Sequence, residues 1–281
     1  MIVHALVDNR KAPDHPALSA EKGLSFHIRT AKNSIIFDMG CGRTFYDNAK
    51  LIEIDIEHAD IAVISHRHHD HANGLPHFLH HNQHAKVFLR ECEARSYVFK
   101  FLAVQLNIGF DSALPEHYRN RLIFINQTTE ILPDVFAVIN SSDRYPRPAG
   151  NQYLYSGNKE GLLPDTFEHE LFLIIREPDG LVLFTGCAHA GVLNMIETVR
   201  TIFEGEKIKA VVGGFHLVGI PMLNGLECRK SDIIQLAKQL AQCPIDTFYT
   251  GHCTGVRAYR VLKTILGERI NYIPTGSRIN T

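Results

Sequence analysis

Residues 65–71 read Ser-His-Arg-His-His-Asp-His and place four potential metal ligands, His66, His68, Asp70 and His71, within six positions. The alternation of His66 and His68 points two imidazoles to the same side of an extended segment. Asp70 and His71 turn off that line, so one short loop can serve two ions. Neutral imidazoles and a carboxylate beside a cation are the materials for activating water. With 17 His in 281 residues, adjacency alone is a weak signal. The setting gives the loop its weight: the apolar run Ile61-Ala62-Val63-Ile64 leads into it and Asn73-Gly74 closes it.

Three more histidines follow apolar runs in the second half of the chain. They lie in Leu183-Phe184-Thr185-Gly186-Cys187-Ala188-His189, Val211-Val212-Gly213-Gly214-Phe215-His216 and Tyr249-Thr250-Gly251-His252. Each reads as a strand, then small residues that let the backbone turn sharply, then His. In layered α/β folds ligand sites sit where strands end. His189 and His252 are therefore candidate ligands, whereas His216 reads as a substrate contact or a packed histidine as readily as a ligand. His77, His80, His81 and His84 read as decoration of an exposed helix face.

The elements that must hold these residues follow from periodicity. Strands are expected at Val3–Val7, Leu24–Arg29 (half-buried), Ile35–Phe37 and Ile61–Ile64, with a hairpin joining the second and third and a helix over Thr44–Leu51. The middle is less regular. Val87–Leu89, Leu122–Ile125 and Val135–Ile139 read as strands, Phe99–Leu106 as helix or loop, and 141–165 as an irregular excursion. The last third predicts a hairpin from Leu171–Ile175 through Glu177-Pro178-Asp179-Gly180 to Leu181–Phe184. Helices follow over Gly191–Phe203, after an N-cap at Ser231, and over Val256–Leu266 up to Gly267, with strands at Ile208–Val212 and Ile245–Tyr249. Strands first and strand–helix alternation later predict a layered α/β domain, and no linker divides residues 1–281.

Composition narrows the function classes. Hydrophobic residues make up 45% and charged residues 21%, which suits a large core. The net charge of −1 carries no basic excess for nucleic acid or a membrane surface. The start reads as a strand and not as an export signal. No apolar run approaches the roughly 18 residues of a membrane helix. Cysteines stand at 41, 92, 187, 228, 243 and 253 with no Cys-x-x-Cys. The expectation is a cytoplasmic protein with reduced thiols and a small-molecule substrate, without nucleic acid or membrane partners, its oligomeric state left open.

The Ser-His-x-His-x-Asp-His loop resembles the metallo-β-lactamase superfamily, which implies a four-layer αββα sandwich. Val7-Asp8-Asn9, Glu21-x-Gly23-Leu24-Ser25-Phe26, Phe37-Asp38-x-Gly40, Thr185-Gly186-Cys187-x-His189, Gly213-Gly214-Phe215-His216-Leu217 and Gly251-His252-Cys253-Thr254-Gly255 resemble its dihydropterin–ribofuranosylaminobenzene phosphate synthase-like branch. The resemblance implies that His66 and His68 bind one metal, and that Asp70 and His71 bind a second, joined by His252. It also implies that Asp38 orients a metal-bound His. The chain departs from the pattern where Thr-Gly-Asp would be usual. Cys187 occupies that bridging position, as a ligand or as a buried thiol, and His189 is the candidate third ligand of the first metal.

The leading expectation is a hydrolase that uses metal-activated water on a small-molecule ester, lactone or phosphate-type substrate, with Asp70 both ligating and handling the proton. An imidazole-rich site suits zinc, one or two ions, with manganese or iron as alternatives. Two other readings stand beside it. One is a transferase joining a dihydropterin diphosphate to an aminobenzene ribofuranosyl phosphate. The other is a non-catalytic metal-binding or sensing module, motivated by the missing bridging Asp. RNA processing is disfavoured by the balanced charge.

Overall fold

A computed structural model describes residues 1–93, 95–110, 116–158, 161–218 and 229–281, with the backbone alone at His117. The chain forms two compact units. One comprises Met1–Glu93, Ile108–Asn126 and Ile273–Thr281, and the other comprises Ala94–Asn107 and Gln127–Tyr272.

The first unit is built on a seven-stranded sheet ordered Arg278–Asn280, Ile2–Val7, Ser25–Arg29, Ser34–Phe37, Ile61–Val63, Lys86–Arg90 and Leu122–Ile125. The strands up to Ser34–Phe37 pair antiparallel, and from there on the pairing is parallel. Parallel neighbours need crossovers, which helices supply: Thr44–Leu51 and Leu75–His81. Phe45 and Tyr46 from the first helix and Leu75, Phe78 and Leu79 from the second pack with Ile36, Ile64, Val87 and Leu89 into one apolar core. Among the four histidines expected on an exposed helix face, His81 is half-buried and stacks on Tyr46, ring centroids 3.9 Å apart.

The Ser25–Arg29 strand departs from the half-buried expectation, since only Arg29 is exposed. Its polar member, His27, is covered because Ser34 bonds its Nε2 at 2.9 Å and His4 stacks on it from the neighbouring strand. Burial first, then the charges of His4 and Arg29, lowers the His27 pKa to about 4. The unfolded chain therefore takes up a proton near pH 6.5 that the fold refuses until about pH 4. Stability from this group is complete above pH 6.5 and lost as pH falls towards 4, by roughly 3 kcal/mol. His27→Gln is expected to flatten that loss, read as the wild-type-minus-variant difference in urea midpoint across this window. Parallel curves for the two proteins would refute it.

The second unit holds a seven-stranded sheet ordered Ile270–Tyr272, Thr247–Thr250, Ile208–Gly213, Gly180–Phe184, Phe172–Glu177, Val135–Val138 and Thr129–Leu132. The first four strands are parallel neighbours, linked by helices Val192–Ile202, Lys230–Gln242 and Val256–Leu266. The first helix buries Val192, Met195, Ile196 and Val199 and the last Ala258, Leu262 and Leu266, the spacing of one helical face. Ser231 does not cap its helix. The helix begins at Lys230 after Arg229, and the Ser231 hydroxyl turns to Asp232 Oδ1 instead.

A four-stranded antiparallel sheet completes this unit: Gly161–Pro164, Leu154–Asn158, Ser96–Phe101 and Val104–Asn107. It corrects two expectations. Phe99–Leu106 is neither helix nor loop but the tip of a hairpin, turning where Leu102 takes φ +51° without any Gly or Asn to mark it. The 141–165 excursion contains a 3₁₀ turn at Ala149–Tyr153 and the hairpin 154–164, paired to Ser96–Phe101. Positions 159–160 of that hairpin, and Cys228, lie outside the described residues. Among the described residues no helix is long and apolar enough to cross a membrane.

Candidate functional site

The candidate residues fall into one cluster on each unit. In the first unit, the parallel strands Ser34–Phe37 and Ile61–Val63 end at the same edge, and Asp38 N–H donates to Val63 O at 2.9 Å. The chain beyond Val63 then carries Ser65, His66 and His68 past Asp38, before the single helical turn His69–Ala72 redirects Asp70 and His71. The segment 108–110 pins this loop: His69 N–H donates to Ile108 O and Phe110 N–H to Arg67 O.

Asp38 organises the cluster. It is fully buried with φ +58°, a conformation Asp tolerates better than most residues. Its carboxylate accepts from Ser65 N–H at 2.7 Å, from the Ser65 hydroxyl at 2.7 Å and from His71 Nδ1 at 2.6 Å. Since the Ser65 proton is given to Asp38, the same hydroxyl must accept from His66 Nδ1, 2.8 Å away. One carboxylate thus fixes both imidazoles as Nδ1–H tautomers and leaves the lone pairs on Nε2. His66 Nε2 then faces His68 Nδ1 at 3.1 Å, and the Asp70 carboxylate lies 4.0 Å from His71 Nε2. Two nitrogens on one tetrahedral zinc stand about 3.4 Å apart, so His66 and His68 fit a shared ion.

In the second unit the parallel pairing brings the ends of Gly180–Phe184, Ile208–Gly213 and Thr247–Thr250 to one edge, and with them the three turns bearing His189, His216 and His252. The packing is close: a Cβ on Gly213 would lie 2.0 Å from Thr185 O, and one on Gly214 2.4 Å from Cys253 Sγ. Backbone strain collects at the same turns, with Ala188 at φ +55° and His216 and His252 at φ +47°. Threonine hydroxyls tie them together, Thr185 to Gly214 O, Thr250 to Gly213 O, and Phe215 N–H to Thr254.

His189 is held from three sides by residues the sequence did not single out. Asn151 accepts from His189 Nδ1 at 3.0 Å and donates to His189 O at 2.8 Å, which again leaves the lone pair on Nε2. Phe167 stacks flat on the ring, centroids 4.3 Å apart. Glu170 accepts the backbone N–H groups of His189 and Ala190 at 2.7 and 2.8 Å. Burial raises the Glu170 pKa to about 7 despite these two bonds. His216 lies against His189, ring centroids 4.2 Å apart, and both its ring nitrogens are buried without a hydrogen-bond partner among the described residues. An orphaned imidazole of this kind costs about 1–3 kcal/mol and suits a site that takes up a ligand.

Cys187, at the expected bridging position, is buried with its sulfur within 4.8 Å of donor atoms on His189 and His216, and likewise of those on His252 and Cys253. Burial opposes ionisation of the Cys253 thiol, but Cys187, His252 and His216 around it hold its pKa well below the usual value. The imidazoles and carboxylate of the first unit, and the imidazoles and thiols of the second, are each donor types that suit a divalent transition-metal ion.

The chain has the metallo-β-lactamase fold. A solved structure described as a metal-dependent hydrolase of the β-lactamase superfamily matches it with a TM-score of 0.82 at 27% identity, over 100% of this chain and 99% of that one. The metallo-β-lactamase fold protein YhfI from Bacillus subtilis matches with a TM-score of 0.53 at 10% identity over 99% of each chain. In sequence, the chain is similar to the 7,8-dihydropterin-6-methyl-4-(β-D-ribofuranosyl)-aminobenzene-5'-phosphate synthase of Methanocaldococcus jannaschii, 27% identical over 99% of this chain and 95% of the relative. No protein-family model matches the chain. The expected fold and the expected likeness to the synthase branch are both met.

Proposed function

We propose that the protein is a metal-dependent hydrolase of a small-molecule ester, lactone or phosphate-type substrate. The observation that carries this reading is the Asp38 arrangement, a buried carboxylate whose bonds to Ser65 and His71 present the Nε2 lone pairs of His66 and His71. His66, His68, Asp70, His71, His189 and His252 are the proposed ligands, with zinc as the first candidate ion and manganese or iron as alternatives. A bound divalent ion would polarise both a water and the substrate's carbonyl or phosphoryl oxygen. Asp38 holds His66 and His71 in one tautomer throughout a cycle. The Asp70 carboxylate, 14% exposed, is open enough to receive a proton from water and return it to the leaving group. His216, with two buried donor-capable nitrogens, is the proposed substrate contact.

A transferase is the second reading, supported by full-length likeness to the synthase. In it the ion would assist departure of diphosphate. One experiment separates the two. Protein stripped by chelation and reloaded with zinc, manganese or iron is incubated with ester, lactone and phosphodiester substrates, and separately with a dihydropterin diphosphate plus an aminobenzene ribofuranosyl phosphate. Metal-dependent incorporation of water into product is expected. A joined product without hydrolysis would replace the hydrolase by the transferase, and undiminished turnover by the stripped protein would refute both.

A further inference from the structure

Cys253 follows the proposed ligand His252 and points into the same cluster. Its sulfur accepts the His216 backbone N–H at 3.3 Å, and its thiol donates to Cys187 O at 3.7 Å. The Cys187 sulfur, the Cys253 sulfur and one His252 nitrogen all lie within 4.8 Å of one another. Two thiolates on a tetrahedral zinc stand about 3.8 Å apart, inside that limit. Room for the sulfur is made by Gly214, where any side chain would begin 2.4 Å from it. A cysteine serving only as a small apolar filler would pack among aliphatic groups. Here the sulfur meets a backbone N–H, a second thiol and an imidazole, the surroundings of a ligating thiolate. His216 borders the same cluster through Cys187.

We infer that Cys253 is a metal ligand and that Cys187, His252 and Cys253 together form a dithiolate–imidazole site for a thiophilic divalent cation. The inference rests on the metal-dependent reading above and adds a preference among metals. Each thiol releases its proton to solvent as its sulfur binds the ion. Thiolate donors select zinc, cadmium or cobalt over manganese or magnesium.

Cobalt(II) titration of the reduced, metal-stripped full chain reports on this directly, because thiolate-to-cobalt charge transfer absorbs separately from the cobalt d–d bands. Cys253→Ser and Cys187→Ser are each expected to remove about half of the charge-transfer intensity, and the double variant all of it, with d–d bands remaining. Full intensity in Cys253→Ser would overturn the inference while leaving the metal-dependent reading intact. Absence of d–d bands from every protein would overturn both. A second measurement needs no variant: saturating cadmium is expected to protect Cys253, but not Cys92, from alkylation read by peptide mass spectrometry. Equal alkylation of Cys253 with and without cadmium would also overturn it.

Discussion

Asp38→Ala is expected to lower the unfolding free energy of the metal-free protein by about 3–5 kcal/mol and to weaken metal binding by roughly 10–100-fold. The carboxylate is fully buried and accepts three hydrogen bonds, from Ser65 N–H, the Ser65 hydroxyl and His71 Nδ1. Alanine leaves those donors without an acceptor, and it sits less easily at φ +58°. Asp38→Asn separates the two effects. Asparagine keeps the shape and tolerates the backbone, so most of the stability should return. Its amide can donate to His71 Nδ1, however, which moves the imidazole proton to Nε2 and removes the lone pair that would bind metal. Urea denaturation of the stripped proteins measures the first effect, and competition against a chromophoric chelator the second. An Asp38→Asn protein that binds metal as the wild type does would show that the carboxylate does not set the tautomers.

Gly213→Ala is expected to destabilise the second unit by about 3 kcal/mol and to lower the melting temperature by roughly 10 °C. The added methyl would lie 2.0 Å from Thr185 O and 2.3 Å from Thr185 Oγ1, and the backbone at φ +136° already excludes a relaxed L-residue. Thr185 and Gly213 belong to adjacent parallel strand ends, so the clash cannot be relieved by turning a flexible side chain. The strands would have to part where His216 is positioned. Differential scanning calorimetry checks this, and a melt within about 2 °C of wild type, about 0.5–1 kcal/mol on that scale, would show that the edge yields more readily than its geometry allows.

Local patterning carried much of this into the sequence. The helices at Thr44–Leu51 and Val256–Leu266 and the hairpin Phe172–Phe184 have periodicities and turn residues that name them. So does the His loop, because His66, His68, Asp70 and His71 owe their grouping to four neighbouring positions. The strand-end histidines were legible for the same reason, each following its own apolar run. What sequence reading missed depends on partners distant along the chain. Asn151 lies 38 residues from His189, and Glu170 19, and neither stands in a motif that announces the contact. The hairpins at 96–107 and 154–164 were missed because the first turns at Leu102 without a turn residue and the second sits among polar residues that read as loop. Cys253 stood within a recognised motif, but only the approach of Cys187 gives its sulfur a role.

The bond between Asn151 and His189 has a consequence for how such a protein can change. The segment 141–165 has the composition of a region free to vary and to be exchanged when substrate preference shifts. Its amide nonetheless holds the ring of a proposed metal ligand. Any replacement of this segment that omits Asn151, whether by selection or by an engineer grafting a new loop, would alter metal occupancy together with recognition, so that a variant judged inactive on a new substrate could simply be one that no longer retains its ion.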